Sequence, residues 1–220
     1  MVMSVTFTDF FRSLLIIIPP IAVLYWLMGL LEEDVEEKDL FISFVWGVFG
    51  GIFAGFFRYL TTTVPIMYLA SIPLLEESLK GIYVIRLRGS SEISLISRLY
   101  VFGLAVGATS VYITEMSPYE MVSAPLAYLS LFSEAIAYTT LHAANGGLIG
   151  LFTIQGKNLQ GIGLALVNNF IYKVLQIGLI IIGLEYATPE IMAVNAIPTF
   201  LYVTITIKRA SQKRSRKNRI

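Results

Sequence analysis

The chain has 220 residues, 56% hydrophobic and 14% charged, with a mean hydropathy of +0.74 and a formal net charge of +1. This composition excludes an ordinary soluble globular domain and points to an integral membrane protein. The lack of cysteine excludes disulfides, thiolate zinc sites and cysteine nucleophiles.

The first apolar run, Leu14 to Leu31, follows Arg12 and contains Pro19 and Pro20. An acidic stretch, Glu32 to Asp39, comes next in place of a small-residue cleavage site. The run therefore reads as a retained, kinked first span rather than a signal peptide, and the acidic stretch as a solvated loop. The second span, Leu40 to Phe57, carries Gly47, Gly51 and Gly55 on one face. Such a stripe lets another helix approach closely, either within the protein or across a homo-oligomer. Arg58, three threonines and Pro65 read as a short turn.

The third span, about Ile66 to Ile85, contains P-L-L-E-E-S-L-K, which places Glu76, Glu77 and Lys80 in an apolar segment. A charged side chain at a helix centre costs roughly 2.5 to 3.5 kcal/mol on insertion scales, so such residues usually face a polar cavity and act there. Lys80 shares a helix face with Glu76 (i, i+4) and with Glu77 (i, i+3). Adjacent glutamates diverge by about 100° on a helix. The expectation is that one is held by Lys80 or a neighbouring helix while the other faces the cavity as a general base. The plainer alternative is a helix end with Lys80 snorkelling to the interface. G-I-Y-V-I-R-L-R continues the apolar pattern beyond the cluster and argues against it. Pro73 should bend or open the helix beside the carboxylates and admit water.

Arg86 to Arg98 reads as a basic loop. The fourth span, Leu99 to Thr114, carries Gly103 and Gly107 and runs into Glu115, either an interfacial acid or a supporting site residue. Met121 to Phe152 is too long for one span, since 32 helical residues cover roughly 48 Å against about 30 Å of hydrocarbon. Pro125 is expected to separate an interfacial or re-entrant piece from the fifth span, about Leu129 to Phe152. That span bears one polar stripe of Glu134, Tyr138, Thr139, His142 and Asn145, followed by Gly146, Gly147 and Gly150. His142 is the single histidine. A lone histidine is often a satisfied core residue, but a place between a glutamate and an asparagine at mid-span argues for function.

The sixth span, Leu159 to Leu184, carries Asn168, Asn169, Lys173 and Gln176 on one stripe, suited either to a site or to bonding helices together. The seventh, Ile191 to Ile207, reads as scaffolding. It leads into a tail holding seven of the sixteen basic residues: Lys208, Arg209, Lys213, Arg214, Arg216, Lys217 and Arg219. After a hydrophobic span such a tail marks the cytoplasmic side and contacts anionic lipid headgroups rather than nucleic acid.

The expected fold class is all-α: a polytopic membrane helical bundle of about seven transmembrane helices with a cytoplasmic C-terminus, in the cell membrane. It forms one domain over residues 1–207, with a motif-bearing core at 66–184 and a basic tail at 208–220. A shared cavity would combine Glu76, Glu77 and His142 as catalytic groups with Lys80, Glu115, Glu134, Asn145, Asn168 and Asn169 in support. This set suits peptide-bond hydrolysis, in which a glutamate deprotonates water while His142 and an asparagine donate hydrogen bonds to the developing oxyanion. No H-E-x-x-H is present. A divalent metal such as zinc would have a glutamate, Glu77 or Glu76, and His142 as a sparse ligand set, and no cofactor is otherwise expected.

L-L-E-E-S-L-K resembles the first motif of the PrsW family of intramembrane proteases, relatives of the type II CAAX-processing membrane proteases and, distantly, of the non-proteolytic scaffold subunit of gamma-secretase. F-G-L-A-V-G-A-T-S-V-Y-I-T-E is similar to that family's glycine-rich second motif, although Met116 stands where the family has asparagine. L-H-A-A-N-G-G-L-I-G resembles its histidine helix. The last motif's histidine has no counterpart, with Asn168 or Asn169 nearest. The resemblance spans roughly Leu74 to Gln176. It implies Glu76 and Glu77 as catalytic carboxylates, His142 as metal ligand or oxyanion donor, and a membrane protein or membrane-anchored peptide as substrate. Two other readings compete: a non-catalytic scaffold subunit, and a proton- or ion-coupled transporter relaying through Glu76, Glu77, Lys80, Glu134 and His142.

Overall fold

A computed structural model describes residues 7–31, 35–61, 65–87, 89–115, 125–183 and 188–217. The described residues form seven α-helices and no strand: α1 (Phe7–Leu31), α2 (Glu37–Thr61), α3 (Pro65–Arg86), α4 (Glu92–Glu115), α5 (Pro125–Thr153), α6 (Asn158–Ile181) and α7 (Thr188–Lys217). Four of them, α1, α2, α4 and α6, contain stretches long and apolar enough to cross a membrane. α3 and α5 are comparably long, but they carry the charged and polar side chains of the candidate site.

Local chemistry sets several helix ends. Ser91 caps α4, its hydroxyl accepting from the Ser94 N–H. α5 closes on Gly156 at φ 72°, with Lys157 N–H donating to the Phe152 carbonyl and Gly156 N–H to that of Thr153. This is the Schellman pattern, in which a glycine takes the left-handed position.

α4 is the central helix, with α2 on one side and α5 on the other, and glycine permits both contacts. A Cβ on Gly47 would meet the Phe102 carbonyl, and one on Gly51 would lie 2.6 Å from Thr109. The glycine stripe of α2 is thus spent inside the chain. Gly103 of α4 lies against the His142 carbonyl, and Gly146 of α5 against that of Leu99. Small residues at these crossings bring the two backbones together, which pins His142 to the most buried helix pair. α1, α3, α6 and α7 surround this core.

Successive helices run in opposite directions. One end of the bundle gathers Leu27, Leu40, Ile93, Phe200 and Ile207 in one cluster, the Asp39–Arg98 pair, and the contact of Gly161 with Ile149 and Phe152. Arg86, Lys157 and Lys208 fall at the same end. α7 continues without a break through the boundary at 207 and into the basic tail as far as Lys217.

Burial is inverted relative to a water-soluble protein. Trp46, Phe49, Phe53, Phe56, Ile82, Phe170 and Ile171 are exposed, while Glu76, Glu77, Lys80, His142, Asn145, Asn169 and Lys173 are buried. The apolar stretches of α1, α2 and α6 are 22% to 33% buried and that of α4 is 89% buried. An apolar exterior around a polar interior is what a hydrocarbon solvent selects.

Several boundaries differ from the sequence expectation. α2 extends through Arg58, which is buried within a helix rather than lying in a turn. α4 begins at Glu92, so Arg98 belongs to a helix, where it bonds Asp39 Oδ2 at 3.0 Å and Ser43 Oγ at 3.3 Å. α5 starts at Pro125, four residues before the expected start of the fifth span, and the piece expected ahead of Pro125 lies outside the described residues. Proline at the first position of a helix costs no hydrogen bond, which suits Pro125 to the start of α5. Helices α1 and α3 continue through Pro19, Pro20 and Pro73.

Candidate functional site

Three helix middles meet at the site. Glu76 lies halfway along α3, about 15 Å from either end at 1.5 Å per residue, and Asn169 lies halfway along α6. His142 and Asn145, one turn apart, project from α5. Glu76, Lys80, His142, Asn145 and Asn169 are fully buried, and Glu77 is 1% exposed. At such burial every charge needs a partner.

The partners form a closed ring. Lys80 Nζ donates to Glu77 Oε1 at 2.7 Å and lies 2.9 Å from His142 Nδ1. His142 Nε2 lies 3.5 Å from Glu76 Oε2. Asn169 Nδ2 donates to Glu76 Oε2 at 3.0 Å and to Glu77 Oε1 at 2.9 Å, completing the circuit. Asn145 Nδ2 adds a third donor to Glu77 Oε1 at 3.1 Å and also bonds the Ala165 carbonyl. Asn168 stands one step back, its Nδ2 bonding Asn145 Oδ1 at 2.7 Å and so orienting that amide.

The two glutamates are therefore unequally engaged. Glu77 Oε1 accepts from Lys80, Asn145 and Asn169, while Glu76 Oε2 accepts from Asn169 alone. Glu76 Oε1, Glu77 Oε2, His142 Nε2 and Asn169 Oδ1 are buried and make no hydrogen bond within the protein. The ring thus keeps acceptors and an imidazole nitrogen that no protein group engages. The expected divergence of the glutamates is not what the fold contains. Both carboxylates reach the same Asn169 amide, because a glutamate side chain has enough torsional freedom to cancel the 100° between neighbouring positions. Nor does α3 open at Pro73, since both carboxylates beside it are shut off from the surface.

A second polar group adjoins the ring. Lys173 of α6, fully buried, holds its ammonium 4.2 Å from the Tyr138 ring centroid, and the Arg58 guanidinium lies 4.4 Å from the same centroid. Tyr138 in turn lies 5.5 Å, ring to ring, from His142. Arg58 Nη2 pairs with Glu134 Oε1 at 3.1 Å. Glu134 is thus Arg58's partner, although it shares the polar stripe of His142 and Asn145 on α5. The side chain of Glu115 lies outside the described residues. Lys173 was legible as the residue four after Asn169, on the same helix face. The burial of Arg58 had no such signal.

A divalent metal does not fit this donor set. His142 Nδ1 faces the Lys80 ammonium, and Glu77 Oε1 is already bonded by three donors. The buried carboxylates of Glu76 and Glu77 are balanced by the buried ammoniums of Lys80 and Lys173, so a dication would add two uncompensated charges in a low-dielectric interior. Among the described residues no group of three or more acidic, histidine or cysteine side chains is placed to hold a metal ion. Lys80 sits between Glu77 and His142, the two residues expected as metal ligands.

Compared with protein-family models, with characterised proteins and with solved structures, the chain finds no match.

Proposed function

We propose that this is a multi-pass membrane protein, with seven helices crossing the bilayer and the C-terminus cytoplasmic, and that it is an intramembrane endopeptidase. Its substrate would be a membrane protein or a membrane-anchored peptide. The inverted burial pattern supports the membrane reading, and the basic residues collected at one end of the bundle support the orientation. The lysines and arginines of the last turns of α7 would lie against anionic headgroups on that side.

The observation that carries the enzymatic reading is the unequal engagement of the glutamates beside an imidazole. Glu77 anchors Lys80, Asn145 and Asn169. Glu76, with one donor and a free Oε1, is the base that takes a proton from water. The resulting hydroxide adds to the scissile carbonyl carbon, and an N–H of His142 stabilises the oxyanion. Collapse breaks the C–N bond, and Glu76 returns its proton to the leaving amine. The resemblance of P-L-L-E-E-S-L-K and of the His142 helix to the PrsW family supports the same assignment.

The test is cleavage of a transmembrane reporter by purified wild type and by Glu76→Gln. Loss of cleavage in a variant that still unfolds cooperatively on heating supports the reading, and retained cleavage overturns it. One observation favours a second reading, a non-catalytic scaffold. The ring is closed and charge-balanced, as helix-bonding polar groups are. On that reading wild type cleaves nothing and glutamine variants lose folded yield.

A further inference from the structure

Lys80 does more than neutralise Glu77. Its nitrogen is 2.7 Å from Glu77 Oε1 and 2.9 Å from His142 Nδ1, and both Lys80 and His142 are fully buried. The short contact with a carboxylate keeps the amine as an ammonium. An ammonium has three N–H bonds and no lone pair, so its hydrogen bond to the imidazole runs in one direction: Lys80 donates and Nδ1 accepts. A neutral imidazole whose Nδ1 lone pair is used in this way carries its proton on Nε2. The imidazolium is disfavoured by the same contact, because it would turn an N–H toward ammonium protons at 2.9 Å. This tautomer is assigned from the hydrogen-bond network.

The geometry points to Lys80 as a positioning residue: it fixes the single histidine as the neutral Nε2–H tautomer, so that His142 presents a hydrogen-bond donor beside Glu76 rather than a lone pair. Nε2 lies 3.5 Å from Glu76 Oε2 and makes no hydrogen bond within the protein, so this donor is uncommitted. The consequences for chemistry are specific. With its proton on Nε2, His142 can neither take a proton from water at that atom nor bind a metal through it. It can donate to an oxygen, which is what a tetrahedral oxyanion requires. The carboxylates are left as the sole bases at the reacting side. Lys80 also accounts for the lack of a place for a dication, since it occupies the position between carboxylate and imidazole where one would sit.

What the Nε2–H binds rests on the peptidase reading, but the tautomer does not, and the two are separable by experiment. Because the chain has one histidine, protein labelled with ¹⁵N-histidine gives a single imidazole spin system. Full-length wild type in nanodiscs should show a protonated Nε2 and an unprotonated Nδ1. Lys80→Arg, which keeps a donor-only cation, should show the same pattern. Lys80→Met, with folding checked by thermal melting, should lose it and show an Nδ1–H or mixed population. An Nδ1–H or doubly protonated wild type overturns the inference, as does a folded Lys80→Met with the wild-type pattern. If Lys80→Met does not fold, the wild-type and Lys80→Arg spectra still decide. With a cleavable reporter, Lys80→Met should lower kcat about 100-fold, the cost of one lost oxyanion donor, with little change in KM, and Lys80→Arg should recover most of it. Spectra of the expected form together with an inert wild type would sink the peptidase reading and leave the tautomer assignment standing.

Discussion

Asn169 and Glu76 face each other from the midpoints of two helices, and the 3.0 Å bond between them is the one hydrogen bond that Glu76 receives. The same amide nitrogen lies 2.9 Å from Glu77. Replacing Asn169 with leucine removes a donor from both buried carboxylates at once. The cost of leaving buried acceptors unsatisfied is about 1–3 kcal/mol each. Asn169→Leu should therefore melt well below wild type in detergent and cleave no reporter. Melting at the wild-type temperature would show that the amide is dispensable.

The two glutamates should respond differently to the same change. Glu77→Gln leaves the Lys80 ammonium without its buried counter-ion, and breaking one side of a buried pair costs about 3–5 kcal/mol. Glu76→Gln removes a carboxylate that makes no ion pair with Lys80, and the amide can still accept from Asn169. Thermal melting should rank the variants wild type, Glu76→Gln, then Glu77→Gln in order of decreasing stability. Equal melting of the two variants would contradict the anchoring role of Glu77.

Gly103 touches the carbonyl of His142 itself. Gly103→Ala has to push α5 away from α4, and overpacking of this kind costs about 1–3 kcal/mol. It also displaces His142, so activity should fall more than stability does. Gly163→Ala and Gly178→Ala are the controls, since an added Cβ at either meets nothing within 4 Å. Their melting should match wild type.

Arg58 and Glu134 should be coupled. Their side chains are 4% and 15% exposed and 3.1 Å apart. Arg58→Met alone should be destabilising by about 3–5 kcal/mol, because Glu134 is left partly buried without its counter-charge. Arg58→Met combined with Glu134→Leu should regain much of the loss. A double-mutant cycle in thermal melting measures this, and strict additivity would rule the pair out as a unit.

The charge balance around Glu76 predicts indifference to divalent ions. Equilibrium dialysis of wild type against zinc should show no stoichiometric uptake, and reporter cleavage should persist with chelator present. One tightly held zinc per chain would mean that Lys80 moves aside on binding.

Much of this was legible in residue order. The composition, the seven apolar segments and the placement of Glu76, Glu77 and Lys80 on one segment follow from hydropathy and helical periodicity. The glycine stripes of α2, α4 and α5 announced close crossings, because a missing side chain is a local property. Periodicity assigns a residue to a face of its own helix and is silent about which neighbour that face meets. Arg58 was hidden for this reason. It lies in the last turn of a helix and looks like a boundary charge until Glu134, 76 residues away, is seen beside it. Arg98 was misplaced in a loop because the Ser91 cap of α4 is a weak signal next to a basic run.

The residue order by itself determined an all-helical chain with ionisable groups inside the apolar segments of its third, fifth and sixth helices, since hydropathy and helical periodicity are local properties. Tertiary packing decided which groups meet. Asn169 reaches Glu76 across 93 residues and Lys80 reaches His142 across 62. The proton position on His142 follows from that second contact, because an ammonium can only donate.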